Sequence, residues 1–211
     1  MGAREKLTDA MSELLWERGY AATSPRDVMS RAGVGQGSMY HHFTGKHDLA
    51  VASLSAVSGT MADEASVLED VEAGTPLERM KAYLRLPRPG TRGCRIGRMT
   101  QDPQSVTDPD LARIVQGAFA TMLGRWEDAI AAAVAAGELP GTVVPADLAR
   151  TLSAIIQGGY VLARAEGDQA PMDAAIRGAV SLLDATSASV DPSARGTRAP
   201  RERGDQEEGR S

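Results

Sequence analysis

Asparagine is absent from this chain of 211 residues, cysteine occurs once, and phenylalanine and tryptophan occur twice each. A single thiol, Cys94, excludes an internal disulfide framework and any cysteine-rich zinc site, so stability must come from packing. No uninterrupted apolar run reaches the roughly 18 residues that a membrane-spanning helix needs. The opening MGAREKLTDAM carries charges where a signal peptide has its apolar stretch, and the protein is expected to stay in the cytoplasm without membrane contact. Positive charge is not in excess either. A net charge of −5 excludes indiscriminate nucleic-acid binding over the whole surface, but not a local basic patch that meets phosphates.

Alanine, arginine and glycine abound, the bias of a GC-rich bacterial genome. Apolar residues recur three and four apart from end to end without sustained alternation, which predicts an all-α fold. The first helix is expected over 4–18, with Leu7, Ala10, Met11, Leu14 and Leu15 on one stripe and Gly19 as its stop. Ser24-Pro25-Arg26-Asp27 reads as N-cap, N1 proline and an acid at N3, opening a short helix that ends near residue 32. A third short helix fits 36–43 and a long fourth runs to about residue 69. Thr75-Pro76-Leu77-Glu78 has capping-box spacing and opens a fifth, to 86. Three further helices are expected over 108–136, 145–165 and 171–187. Residues 191–211 contain no aliphatic side chain larger than alanine besides proline and predict a disordered tail.

The segment Gly33-Val34-Gly35-Gln36-Gly37-Ser38-Met39-Tyr40-His41-His42-Phe43 carries the functional signal. It is no nucleotide loop, because no strand precedes it and neither the Walker nor the dinucleotide spacing is present. His41 and His42 are adjacent, so on a helix they point roughly 100° apart and do not chelate one ion. Two short helices joined at Ala32-Gly33-Val34-Gly35 and supported by a longer one instead match a helix-turn-helix. Its second helix enters the major groove N-terminus first.

With Ala21-Ala22-Thr23-Ser24, Asp27-Val28, Arg31-Ala32-Gly33-Val34, Gly37 to Phe43 and Lys46-His47-Asp48-Leu49, the run from Leu7 to Leu49 resembles the DNA-binding domain of TetR-family transcriptional regulators. The pair Gly93-Cys94 with Gln157-Gly158 is similar to the LmrA/YxaF-like subgroup. The resemblance implies phosphate contacts from Thr23, Tyr40, His41 and Lys46, base-facing positions at Gln36, Gly37, Ser38 and Met39, and Ser24 among the DNA-binding residues. The chemistry agrees: hydroxyls and a helix N-terminus position DNA, and Gln36 can pair bidentately with adenine. Gly35 and Gln36 stand where relatives often carry a capping hydroxyl and a basic residue, and Gly45 where they cap with serine.

The domains expected are a three-helix DNA-binding unit over 1–48, a larger helical ligand-binding and dimerisation unit over 49–190, and the tail. Two helices of the larger unit, 145–165 and 171–187, are apolar around most of their circumference and must be covered on more than one side. A two-fold four-helix interface built on Leu152, Ile156, Gly159, Tyr160, Ala163, Ile176, Val180 and Leu183 answers this. Met61, Met80, Tyr83, Met99, Phe119, Met122 and Trp126, with Cys94, are the candidates for a pocket that repacks around a small apolar effector. Cys94 has two further readings, a sensor thiol near Arg92 and Arg95 or a small buried hydrophobe.

No acid and base pair and no cysteine-centred constellation forms a catalytic site, and no cofactor is implied. The function expected is a homodimeric regulator that binds a near-palindromic double-stranded operator and is released by an effector, a repressor rather than an activator. The alternative is a helical small-molecule-binding or thiol-sensing protein that does not read DNA.

Overall fold

The computed structural model describes residues 2–190, and the tail expected over 191–211 lies outside them. Nine α-helices and no strand occur among the described residues: α1 (Ala3–Arg18), α2 (Pro25–Ala32), α3 (Gln36–His42), α4 (Lys46–Ala65), α5 (Pro76–Leu84), α6 (Arg95–Met99), α7 (Pro109–Ala135), α8 (Pro145–Glu166) and α9 (Ala170–Ala188). Expected and observed helix ends agree closely except where the chain tightens. α4 gives way to a 3-10 turn at Ser66–Leu68, and α5 stops two residues early. The segment 95–104 holds the short α6.

The starts are set by side-chain chemistry. The Ser24 hydroxyl accepts from the Asp27 N–H while the Asp27 carboxylate accepts from the Ser24 N–H, and Thr75 and Glu78 repeat the arrangement. Asp108 caps α7 by accepting from the Asp110 and Leu111 N–H groups. Each such cap satisfies donors that a helix start leaves free, worth about 1 kcal/mol. Between α2 and α3 the chain turns at Gly33, with φ +62° and ψ +37°, a conformation that glycine adopts without a Cβ penalty.

Two apolar cores organise the chain. The first joins Leu7, Met11 and Leu14 of α1 to Val28, Met39, Phe43 and Leu54, and continues into Ile96 and Met99 of α6 and Leu111 and Val115 of α7. The second gathers Met80, Tyr83, Trp126, Ile130, Leu152 and Leu183. α4 and α7 pack on each other and pass from one core to the other.

Two polar clasps also hold the N-terminal head to the rest. The Trp16 indole N–H donates to the Gly93 carbonyl at 2.8 Å. Arg92 and Arg95 lie over its ring at 3.5 and 3.9 Å, and both pair with Glu13. The second clasp is Asp102, buried in the α6–α7 loop. Its carboxylate accepts from the N–H groups of Ala21, Gln104 and Ser105 at 2.8, 3.0 and 2.9 Å. Gly19 has φ +85°, and a Cβ there would sit 2.5 Å from the Asp102 carboxylate, so a side chain would break this contact.

Burial alone would raise the Asp102 pKa, but the three N–H donors outweigh it and hold the carboxyl below its usual range. A depressed folded-state pKa adds stability that is complete above the unfolded value, about 4, and is lost as pH falls through the folded value. Asp102→Asn is therefore expected to flatten the acid limb of thermal stability below about pH 4. Melting curves of both proteins from pH 7 to pH 2 check this, and parallel acid limbs would refute it.

Candidate DNA-reading surface and ligand cavity

The surface of α3 follows from its period. Gln36, Gly37, Tyr40 and His41 fall on one arc of the helix and are exposed, Tyr40 by 51%. Ser38 is at the margin, half-buried. Lys46, at the first turn of α4, is half-buried with its ammonium 3.9 Å from the Tyr20 ring centre, a cation–π contact that leaves its outer side open. Burial lowers its pKa, opposed by the charge of Asp102. The structure thus brings Gln36, Gly37, Tyr40, His41 and Lys46 to the outside of the head, with Ser38 beside them.

Three expected contacts are corrected. Met39 has no exposed surface and packs into the first core with Phe43, so it does not face a base. Its i, i+4 spacing to Phe43 was the available signal. Thr23 is buried and its hydroxyl donates to the Gly19 carbonyl at 2.7 Å, so it closes the loop after α1 instead of meeting a phosphate. The Ser24 hydroxyl is taken by its own cap: it accepts from the Asp27 N–H and donates to the Asp27 carboxylate at 2.7 Å.

His47 meets Asp108 at 3.1 Å and Asp110 at 3.7 Å, joining the starts of α4 and α7. This contact lies where the reading head passes into the larger helical part.

Behind the head, α1, α4, α5, α7, α8 and the loop before α6 line a half-open cavity of about 770 Å³. Met61, Tyr83, Cys94 and Met122 of the expected ligand set line it. Met80, Met99 and Trp126 do not: each is fully buried in a core, and Trp126 stands edge-on to Tyr83 with ring centres 5.3 Å apart. Phe119 is packed between the two cores. One turn along α7 is enough to move a side chain from wall to core. The Cys94 thiol is half-buried. It caps α6, its sulfur accepting from the Gly97 N–H at 3.2 Å, at the cavity wall.

Sequence reasoning missed Trp16, Arg88 and Gln157 as wall residues, and assigned Tyr160 and Ile156 to a subunit interface when both line the cavity. Of the other expected interface residues, Leu152, Ala163 and Leu183 are buried within the subunit, whereas Ile176 and Val180 are half-buried against its second core. Gly159 lets α8 and α9 of one chain approach, since a Cβ there would lie 2.9 Å from the Met172 sulfur. The face left uncovered is another one: Val161, Leu162 and Leu182 are 59, 52 and 58% exposed. Ala154, Ala165, Gly178 and Ala185 surround them, all exposed.

Comparison with known proteins agrees with this fold. Residues 7–52 match the family described as bacterial regulatory proteins, tetR family, and residues 76–179 match the tetracyclin repressor-like C-terminal domain. The transcriptional regulator AcuR of Cereibacter sphaeroides is 28% identical over 78% of this chain and 77% of its own length. The uncharacterized HTH-type regulator YxaF of Bacillus subtilis is 22% identical over 81% of this chain and 89% of its own, a distant likeness that leaves the subgroup weakly supported. The crystal structure of regulatory protein TetR from Rhodobacter sphaeroides superimposes with a TM-score of 0.75 at 26% identity, covering 85% of this chain and 97% of that one. A helix-turn-helix head, an all-helical body and these matches over both parts place the chain in the TetR family of bacterial DNA-binding transcriptional regulators.

Proposed function

We propose that the protein is a homodimeric, effector-released repressor that acts in the cytoplasm on a near-palindromic operator. The observation that carries this reading is the outer face of α3, where Gln36, Gly37, Tyr40 and His41 stand exposed with Lys46 beside them. In this reading Gln36 and Gly37 meet base edges and set operator preference, while Tyr40, His41 and Lys46 hold phosphates. Ser38 completes the base-facing edge. One seven-residue helix reads too little DNA alone, so two copies, presented by a two-fold dimer about one helical turn apart, read the two half-sites.

The uncovered stripe of α8 and α9 supports the dimer. Ala154, Ile155, Gly158, Val161, Leu162 and Ala165 recur at i, i+1, i+4, i+7, i+8 and i+11 along α8, a continuous apolar face, and Gly178, Leu182 and Ala185 continue it on α9. Its small residues let helices of two copies approach closely. The cavity supports effector control, because α1 and α4 form its wall and also carry the head. A ligand that separates these helices favours a form whose two heads no longer match the operator. A preference of a few kcal/mol for that form relieves repression appreciably.

Joint replacement of Tyr40→Phe and Lys46→Ala tests the DNA contacts. Binding of genomic fragments, measured by fluorescence anisotropy across a salt series, is expected to weaken for all sequences alike. Loss of one lysine–phosphate contact per half-site should lower the slope of log affinity on log salt by about 2 in the dimer. Unchanged affinity and slope would remove these residues from the interface.

A further inference from the structure

The charges around the cavity are unequally neutralised. Arg95 is satisfied by Glu13. Arg88, also on the wall, has no carboxylate partner among the described residues. Its guanidinium donates instead to the backbone carbonyls of Tyr83, Leu84 and Leu86 at 2.8, 2.7 and 2.8 Å. These carbonyls lie at the end of α5, where helical acceptors run out of donors, so they fix the fork in place without cancelling its charge. Of the five N–H groups of an arginine, both on Nη1 and one on Nη2 are used, which leaves the Nε–H and one Nη2 hydrogen uncommitted.

Two more donors share the wall with it. Tyr83 and Tyr160 line the cavity; the Arg88 guanidinium lies over the Tyr83 ring, 5.1 Å from its centre, and the Tyr160 hydroxyl has no hydrogen-bond partner among the described residues. Burial pushes both phenols upward in pKa, so each keeps its proton at neutral pH. Asp9 on α1 and Glu64 on α4 are the opposing charges, both exposed and screened by water. The Gln157 side-chain oxygen is packed against α6, where a Cβ on Gly97 would lie 2.7 Å from it. Hydrogen-bond donors therefore gather on the α5 and α8 side of the cavity, beside the apolar wall residues Met61, Met122 and Ile156, while its carboxylates lie on α1 and α4.

We propose that the effector is an apolar organic acid whose carboxylate is held by Arg88, Tyr83 and Tyr160 while its body lies against Met61, Met122 and Ile156. This rests on the reading of the cavity as the effector site. A carboxylate accepts on two oxygens and takes the free edge of a guanidinium in fork geometry, with phenol O–H donors completing its lone pairs. A primary amide of the same shape turns two hydrogens toward these donors and leaves some of them unpaired. The expected preference for acid over amide is about 10- to 100-fold. An amine would meet the Arg88 charge with like charge and bind more weakly still.

The test is calorimetric titration of the full chain with hexanoate, phenylacetate and 4-phenylbutyrate, each beside its primary amide, and with phenethylamine. Acids are expected to bind and their amides to bind at least tenfold more weakly. Arg88→Gln should erase the difference between acid and amide. Tyr160→Phe should weaken the acids about 5- to 20-fold with unchanged melting, since its hydroxyl supports nothing in the protein, so a fold defect in the arginine variant does not decide the outcome. Amides or the amine binding as well as the acids would overturn the anion assignment and leave the cavity an effector site. Binding by none of the probes would count against both. Acids that bind equally well to both variants would remove these residues from the site. Acids that bind as expected without releasing DNA would sustain the ligand class and refute release through this cavity.

Discussion

A Leu162→Glu, Leu182→Glu double variant is expected to be a folded monomer with operator affinity reduced about 10²- to 10⁴-fold. Both side chains are more than half exposed on the single subunit, so charge at these positions costs the isolated fold little, within about 0.5 kcal/mol each. In a two-fold four-helix interface the same charges would be buried against their own mates. Four carboxylates would then lie close to the axis without partners, a desolvation penalty of several kcal/mol per charge. The loss of DNA binding follows from linkage. When one head has bound its half-site, the dimer holds the second at an effective concentration in the millimolar range, and a monomer forfeits this. Light scattering should give a mass near 22.2 kDa, that of one chain, with an unchanged helical circular dichroism spectrum. A variant that remains dimeric would move the interface away from α8 and α9. Ile176→Ala and Val180→Ala, which thin the packing of α9 on the second core, should by contrast lower stability without altering the mass.

Met39→Ala is expected to destabilise the head by about 2 to 5 kcal/mol, the usual cost of emptying a methionine-sized core site. The residue has no exposed surface and packs among the residues that hold α1, α2, α3 and α4 together. α3 has seven residues and no side-chain cap at its start, too short to persist without this anchor. Urea unfolding of the full chain should show the loss. Operator binding should fall for every sequence in proportion to the fraction of heads unfolded. Met39→Leu conserves volume, should cost less than about 1.5 kcal/mol, and should leave operator preference as it was. A changed preference with unchanged stability would return Met39 to the base-reading face. The matching replacement of Gln36 by Ala should do the reverse, altering preference with little effect on unfolding.

The contrast between these neighbours shows how far local patterning reaches. The helix starts at Ser24, Thr75 and Asp108 were legible because a cap is made within four residues, and chain position alone brings its partners together. The helix-turn-helix was legible for the same reason, as spacing without a gap from Leu7 to Leu49. Met39 was misassigned although its i, i+4 relation to Phe43 was visible, because an apolar residue on a short helix suits a thymine methyl and a core equally well. Thr23 and Ser24 have hydroxyls suited to phosphate, and only their geometry shows these already bonded to Gly19 and Asp27. Arg88 carried no signal in the chain. Its role arises from the end of α5 and from a cavity whose walls come from six parts of the sequence.

An all-helical chain, most of its helix ends and a DNA-reading head were legible along the chain, because they depend on contacts between residues close in sequence. Which side of each buried helix faces its own subunit follows from long-range packing instead. α8 is apolar on nearly every side, so its period cannot separate the stripe of Leu152, Ile156 and Ala163, which packs inside, from that of Val161 and Leu162, which does not. The cavity and its unneutralised guanidinium belong to the same class of fact. They depend on long-range packing of α1, α4, α5, α7 and α8, and no local pattern encodes the distance between side chains that meet only when the chain has folded.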